Sequence, residues 1–309
     1  MKKGDNEFFS ARNIAIALIP SFAYLFLSFS LIGFKTDQLA LLGIFNTCFF
    51  ISPGSRKFIT GFAIFIVYWI LFDYMKAFPN FTFNEVHIAD LYQAEKSLFG
   101  LNIDGELVTP NEYWLKNGTT FLDIMSGIFY LCWIPVPLAF AAYLFFKDKN
   151  SFLRFSLTFV LVNLLGFIIY YTYPAAPPWY FQLKGAQFIP ATLGNTAGLY
   201  KFDAYFGIRV FHNIYEKSSN VFAAMPSLHS SYPLIVLYYG LKKRLGWINL
   251  VFVIVTIGIW FAAIYTSHHY ILDVLAGIVC AIVGILIFDK VFLKLPAFQR
   301  FLRNYSSHI

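Results

Sequence analysis

Residues 246–293 read GWINLVFVIVTIGIWFAAIYTSHHYILDVLAGIVCAIVGILIFDKVFL, two apolar runs (246–266 and 269–293) parted by one short polar turn at Ser267 and His268. About 20 apolar residues carry a helix across a bilayer, and each run meets that length. Moving outward, the same criterion picks out 11–34, 38–53, 58–78, 119–146, 155–174 and 226–241. The expected fold is therefore an all-α polytopic membrane protein of about eight transmembrane helices, a single membrane domain over residues 1–309. The runs 38–53 and 226–241 are short, and 38–53 reads either as a span or as a re-entrant segment. The run 11–34 is too long for a signal peptide and is followed by no small-residue cleavage site.

Composition agrees. The chain is 59% hydrophobic, 21% aromatic and only 13% charged, with a mean hydropathy of +0.63, far from the usual soluble composition. Cys48, Cys132 and Cys280 all sit in apolar runs, which argues against a disulfide framework or a cysteine metal site. A net charge of +7 fits basic loops beside anionic headgroups better than a nucleic-acid partner. Placing the N-terminus in the cytoplasm puts fifteen of the 23 basic residues inside, from Lys2 and Lys3 to Arg300 and Arg303. The positive-inside bias thus favours both termini in the cytoplasm.

Two long loops then face outward. Residues 79–118 form an external interfacial loop after the N-terminal helices of 1–78, and 175–225 open with AAPPWY. Long loops tend to carry function or cover a site. Ile88, Leu91, Tyr92, Glu95 and Leu98 are spaced as one face of a short amphipathic helix, the alternative being a plain solvated loop. Residues 294–309 are read as a cytoplasmic tail.

Chemistry concentrates where helices meet that outer face. The stretch AAMPSLHS (223–230) places His229 at the outer start of the sixth span, and SHHYILD (267–273) places His268 and His269 at the outer start of the eighth. His269 and Asp273 stand four apart and share a helix face. A carboxylate there fixes the imidazole tautomer and makes the far nitrogen a better nucleophile or base. His229 can then serve as general acid to a leaving group. For each residue alone, an ordinary hydrogen-bonded interfacial role is the competing reading. Adjacent His268 and His269 point about 100 degrees apart on a helix and are poor co-ligands, so no metal and no other cofactor is expected.

PSLH at 226–229 followed by HYILD at 269–273 resembles the type 2 phosphatidic acid phosphatase superfamily, whose pattern is K-x6-R-P, P-S-x-H, then S-R-x5-H-x3-D. The resemblance implies a six-helix core, with 119–293 as its catalytic helices. It also implies His269 as the nucleophile that forms a phosphohistidine, Asp273 as its orienting group, His229 as acid to the departing alcohol and Ser227 as a phosphate contact. The chain departs from the pattern where arginine is expected: Ala262 and Ala263 replace Ser-Arg, and no K-x6-R-P run exists. YPAAPPWY (173–180), MPSLHS and SHHY together look like the branch that includes the inositol phosphorylceramide synthases.

That branch implies transfer of a phosphoinositol headgroup from a phospholipid donor to the hydroxyl of a ceramide-like acceptor, with release of diacylglycerol. A phosphodiester carries one negative charge and needs less fixed positive charge than a phosphomonoester. His268, Arg209, Lys201, Lys217 or backbone amides at a helix N-terminus are the candidates to replace the clamp. Trp179, with Tyr170, Tyr171, Tyr173, Tyr180 and Phe181, is a candidate wall for an acceptor groove or part of an aromatic belt. The rival activities are a lipid phosphate phosphatase, or a transporter that keeps the fold without the chemistry. The expected location is a bacterial inner membrane with the site on the periplasmic face, a Golgi-type membrane being the alternative. Asn80 and Asn117 head two glycosylation sequons.

Overall fold

The computed structural model describes residues 9–216 and 220–309; Lys2, Lys3 and Lys217 lie outside them. In chain order the α-helices are α1 (Ala11–Ile32), α2 (Thr36–Ile51), α3 (Pro53–Tyr74), α4 (Ala89–Phe99), α5 (Pro110–Asn117), α6 (Thr120–Leu131), α7 (Pro135–Lys147), α8 (Lys149–Thr172), α9 (Pro178–Lys184), α10 (Tyr200–Phe206), α11 (Val210–Glu216), α12 (Leu228–Lys242), α13 (Ile248–Tyr265), α14 (Ile271–Lys290) and α15 (Pro296–His308). Among the described residues six stretches are long and apolar enough to cross a membrane: 11–32, 53–77, 120–147, 149–172, 248–265 and 271–294. Helix α2, of 16 residues, is apolar but shorter. Helix α12, of 15 residues, also falls short. Its reason is position: α12 packs against α7, α8, α13 and α14. Shielded from lipid on several sides, it carries Ser230, Ser231 and Tyr232, all buried, as polar residues between membrane helices do.

Helix ends follow local chemistry. Ser52 opens α3 by accepting from the Ser55 amide at 3.0 Å, with Pro53 in the first turn, a position where a missing N–H costs nothing. Asp148 opens α8 by accepting from the Asn150 and Ser151 amides at 3.0 and 3.2 Å, while its other oxygen pairs with Lys243 at 2.9 Å. The span expected at 119–146 is broken: α6 stops at Leu131 and α7 starts at Pro135. Pro135 and Pro137 remove two backbone donors there, which ends helical continuity. The break sets Tyr130 and Trp133 against the histidines.

The loop at 79–118 is folded rather than plainly solvated. Leu91, Tyr92 and Glu95 of α4 are buried, Ile88 sits just ahead of the helix, and Leu98 is exposed. A hairpin follows, β1 (Leu101–Ile103) pairing antiparallel with β2 (Glu106–Val108). Asp104 and Gly105 turn it with φ of 52° and 85°, as a two-residue Asp-Gly turn requires. Thr109 and Glu112 then cap α5 reciprocally, at 3.2 and 2.7 Å.

Ala175, in YPAAPPWY, is the middle member of an extended ladder. It bridges in parallel to His87 on one side and to Ala223 on the other. Loop, proline segment and His229 motif are thereby tied at one end of the bundle, the capped end. Asn80 sits under this ladder, buried, donating to the Tyr170 and Phe222 carbonyls at 2.9 and 2.8 Å. Both its amide hydrogens are used, so this sequon is closed to a glycan. The residues expected as a tail form α15, which packs on α8, with Leu302 buried and the Tyr305 hydroxyl donating to the Thr60 carbonyl at 2.7 Å.

Candidate active site

His229 lies in the first turn of α12 and His269 two residues before α14, and the packing of these helices brings the rings together. His229 Nδ1 and His269 Nε2 are 3.1 Å apart. On the far side of its ring, His269 Nδ1 lies 3.5 Å from Asp273 Oδ2. That approach is longer than a good hydrogen bond. Catalytic contacts are often this loose before substrate tightens them. His269 Nδ1 and Asp273 Oδ1 make no hydrogen bond of normal geometry among the described residues. Asp273 is fully buried and also accepts from the Tyr270 amide at 2.8 Å.

Backbone contacts lock the two motifs. The Ser227 amide donates to the Asp273 carbonyl at 2.9 Å, and the Ser231 hydroxyl to the Gly277 carbonyl at 2.7 Å. Gly277 permits the approach: a Cβ there would stand 2.2 Å from the Ser227 carbonyl oxygen. Ser227 itself is buried, its hydroxyl accepting from Ser230 at 3.0 Å. The carbonyl of Ala263 receives the amides of both His268 and His269, at 3.1 and 3.0 Å. Ser267 turns between them with φ of 59°.

The position of the expected arginine is filled. Ala262 and Ala263 are wholly buried in one apolar cluster with Tyr130, Leu199, Phe202, Phe211 and Val274. A guanidinium at 263 would enter that cluster, where an unpaired charge is costly. His268 is buried too, its ring stacked on Tyr130 and Tyr215 at centroid distances of 5.4 and 4.5 Å and its Nε2 3.0 Å from the Thr196 carbonyl.

Other candidates stand further out. Arg209 is exposed, its guanidinium against His212 on the same turn. Lys201 pairs with Asp123 at 3.6 Å. The Trp179 side chain packs with Ile88, Ala176, Tyr180, Val221 and Phe222, while its amide donates to the Ser267 carbonyl at 3.1 Å. Two residues absent from the sequence expectations touch His229. The Tyr130 hydroxyl is 3.2 Å from His229 Nδ1, and Trp133 meets the His229 ring edge-on at 4.4 Å. Both belong to the span 119–146, where nothing but the Pro135 and Pro137 pair hinted at a break.

This helical bundle, with two histidines and a carboxylate at the mouths of neighbouring helices, belongs to the PAP2 superfamily, whose family model matches residues 90–287. Among its relatives, a phosphoinositol dihydroceramide synthase of Bacteroides thetaiotaomicron is 42% identical over 288 residues, covering 93% of this chain and 94% of the relative. An inositol phosphorylceramide synthase of Candida albicans is 29% identical over 78% of this chain and 50% of its own length. The Saccharomyces cerevisiae catalytic subunit of that synthase is 30% identical over 76% of this chain and 57% of its own, so the chain spans about half of these fungal relatives. No solved structure matches the chain. It is an integral membrane phosphotransferase of the inositol phosphorylceramide synthase-like branch.

Proposed function

We propose that the protein moves a phosphoinositol or similar phospho-headgroup from a phospholipid to a ceramide-like hydroxyl in two displacements. The observation that carries it is the Asp273–His269–His229 line, in which His269 turns Nδ1 to Asp273 and Nε2 to His229. In the first displacement His269 Nε2 attacks phosphorus. The bond from phosphorus to the diacylglycerol oxygen breaks, and His229 gives that oxygen a proton. Asp273 holds the Nδ1 proton and steadies the positive ring. In the second, His229 takes the proton of the acceptor hydroxyl, whose oxygen attacks phosphorus and breaks the phosphorus–nitrogen bond. Enzyme and protons are restored.

The apolar filling around Ala263 supports a diester over a monoester substrate, since a dianion would lack the basic clamp. In this reading Ser227 and His268 are the phosphate contacts, Trp179 supports the Ser267 turn through its amide, and Arg209 is a headgroup contact at the surface. The site lies on the outer face, the periplasmic side of an inner membrane. Purified protein in vesicles with headgroup-labelled phosphatidylinositol and ceramide tests this beside His269→Ala. Label on ceramide in the wild type alone is expected. Release of water-soluble label instead would mean a hydrolase, and no movement from any phospholipid donor would overturn the proposal.

A further inference from the structure

The capped end does more than cover the histidines. The turn that carries His269, residues 264–272, is gripped by two buried polar side chains from the 79–118 segment. Glu95 of α4, with no exposed surface, accepts from the Ile271 and Leu272 amides at 2.9 and 3.1 Å. Asn111 of α5, also wholly buried, donates to the Ile264 and His269 carbonyls at 2.8 and 3.0 Å. One side chain thus holds the backbone just after His269 and the other holds His269 itself. Both reach across more than 150 residues of sequence.

From this geometry we infer that Glu95 and Asn111 are positioning residues for the transfer reaction, fixing the turn so that His269 Nε2 meets phosphorus in line. Neither touches the reacting atoms. A carboxylate on the first amides of a 20-residue helix also satisfies donors that α14 cannot pair internally and meets the positive end of its dipole. A neutral amide of the same shape could do the first task only in part. Burial is the main reason the Glu95 carboxyl is pushed up to about 7, with Asp273 raising it further and the two backbone donors opposing. The titratable groups that act on it are Asp273 and Tyr270 at the start of α14; Tyr92 on its own helix, with Glu112 and Lys96 on the Tyr92 hydroxyl, lies one step further out.

The inference rests on His269 being the attacking nitrogen, so wild type and His269→Ala are run first. Glu95→Gln and Asn111→Ser are then compared with wild type in the vesicle transfer assay, with thermal unfolding as a check on folding. A misplacement of about 1 Å can cost on the order of a hundredfold in rate. The expected result is a kcat lower by about tenfold or more, with KM for both lipids little changed. The kcat ratio of wild type to Glu95→Gln should be largest above pH 7 and close as pH falls, because the wild-type carboxyl then takes up a proton. Folded variants with wild-type kcat would overturn the inference while leaving the nucleophile assignment standing. An equal ratio at every pH would reduce Glu95 to a structural prop and overturn its part. Should Glu95→Gln not fold, the kcat and KM of Asn111→Ser decide alone. A wild type that transfers nothing would remove both the inference and the function beneath it.

Discussion

At the scale of single residues, the site is built from polar groups held in an apolar setting. Tyr130 is fully buried and its hydroxyl meets the same His229 nitrogen that faces His269. It therefore competes for, and steers, the proton position on His229. Tyr130→Phe keeps the ring stacked on His268 but removes that hydroxyl. Transfer should fall by about tenfold with stability nearly unchanged, since a single neutral hydrogen bond contributes about 1 kcal/mol; unchanged kcat would remove Tyr130 from the proton relay. Glu95 makes a separate prediction about stability. Its folded-state pKa of about 7 lies above the ordinary carboxyl value of 4.5. Between those values the folded protein keeps a proton that the unfolded chain releases. The contribution to stability is present below pH 4.5 and lost as pH rises through 7. Apparent unfolding temperatures measured from pH 4.5 to about 8 should show wild type losing more stability than Glu95→Gln. Parallel curves would contradict the assignment.

At the scale of elements, the site depends on α12 and α14 touching, and Gly277 is where they do. Gly277→Ala forces its Cβ against the Ser227 carbonyl, a backbone atom that cannot swing aside. A cost of about 1–3 kcal/mol is expected from overpacking, together with loss of transfer as the His229 motif is pushed from His269. Full activity in that variant would show that the helices separate freely. Spans were legible in the sequence because an apolar run of that length finds few stable settings besides a bilayer. The approach of His269 to Asp273 was legible from their four-residue spacing, although His269 lies ahead of α14 and not on a shared helix face with Asp273. The break before Pro135 was not, because proline inside a membrane helix is tolerated about as readily as it is disruptive. Neither Tyr130 nor Trp133 could be placed at the site without it. Glu95 was legible as a member of a helix face, but its partners Ile271 and Leu272 lie 176 and 177 residues away. Such pairings follow from packing, which local pattern does not encode. The hairpin at 101–108 carries a recognised turn pair, Asp104-Gly105, but its strands of three residues are too short to stand out by alternation.

At the scale of the molecule, a bundle of membrane helices ends in a cap that brings together residues 87, 175 and 223 at one ladder. Basic residues gather at the opposite end, where Lys242 pairs with Asp289 at 2.8 Å and Lys243 with Asp148 at 2.9 Å. That distribution fits a cytoplasmic face opposite the site. Asp104→Cys at the hairpin tip should therefore react with an impermeant thiol reagent in intact cells, and Arg303→Cys on α15 only after lysis. The reverse pattern would put the site in the cytoplasm. That arrangement puts the two histidine rings, in contact at 3.1 Å, at the capped end of the bundle. The central claim is that the headgroup passes through His269 on its way between lipids. Its most direct test is the stereochemical course at a chiral phosphorothioate analogue of the phospholipid donor, read in the ceramide product. Two in-line displacements give net retention, which is the expected result; inversion would mean direct transfer from lipid to lipid and would contradict the phosphohistidine.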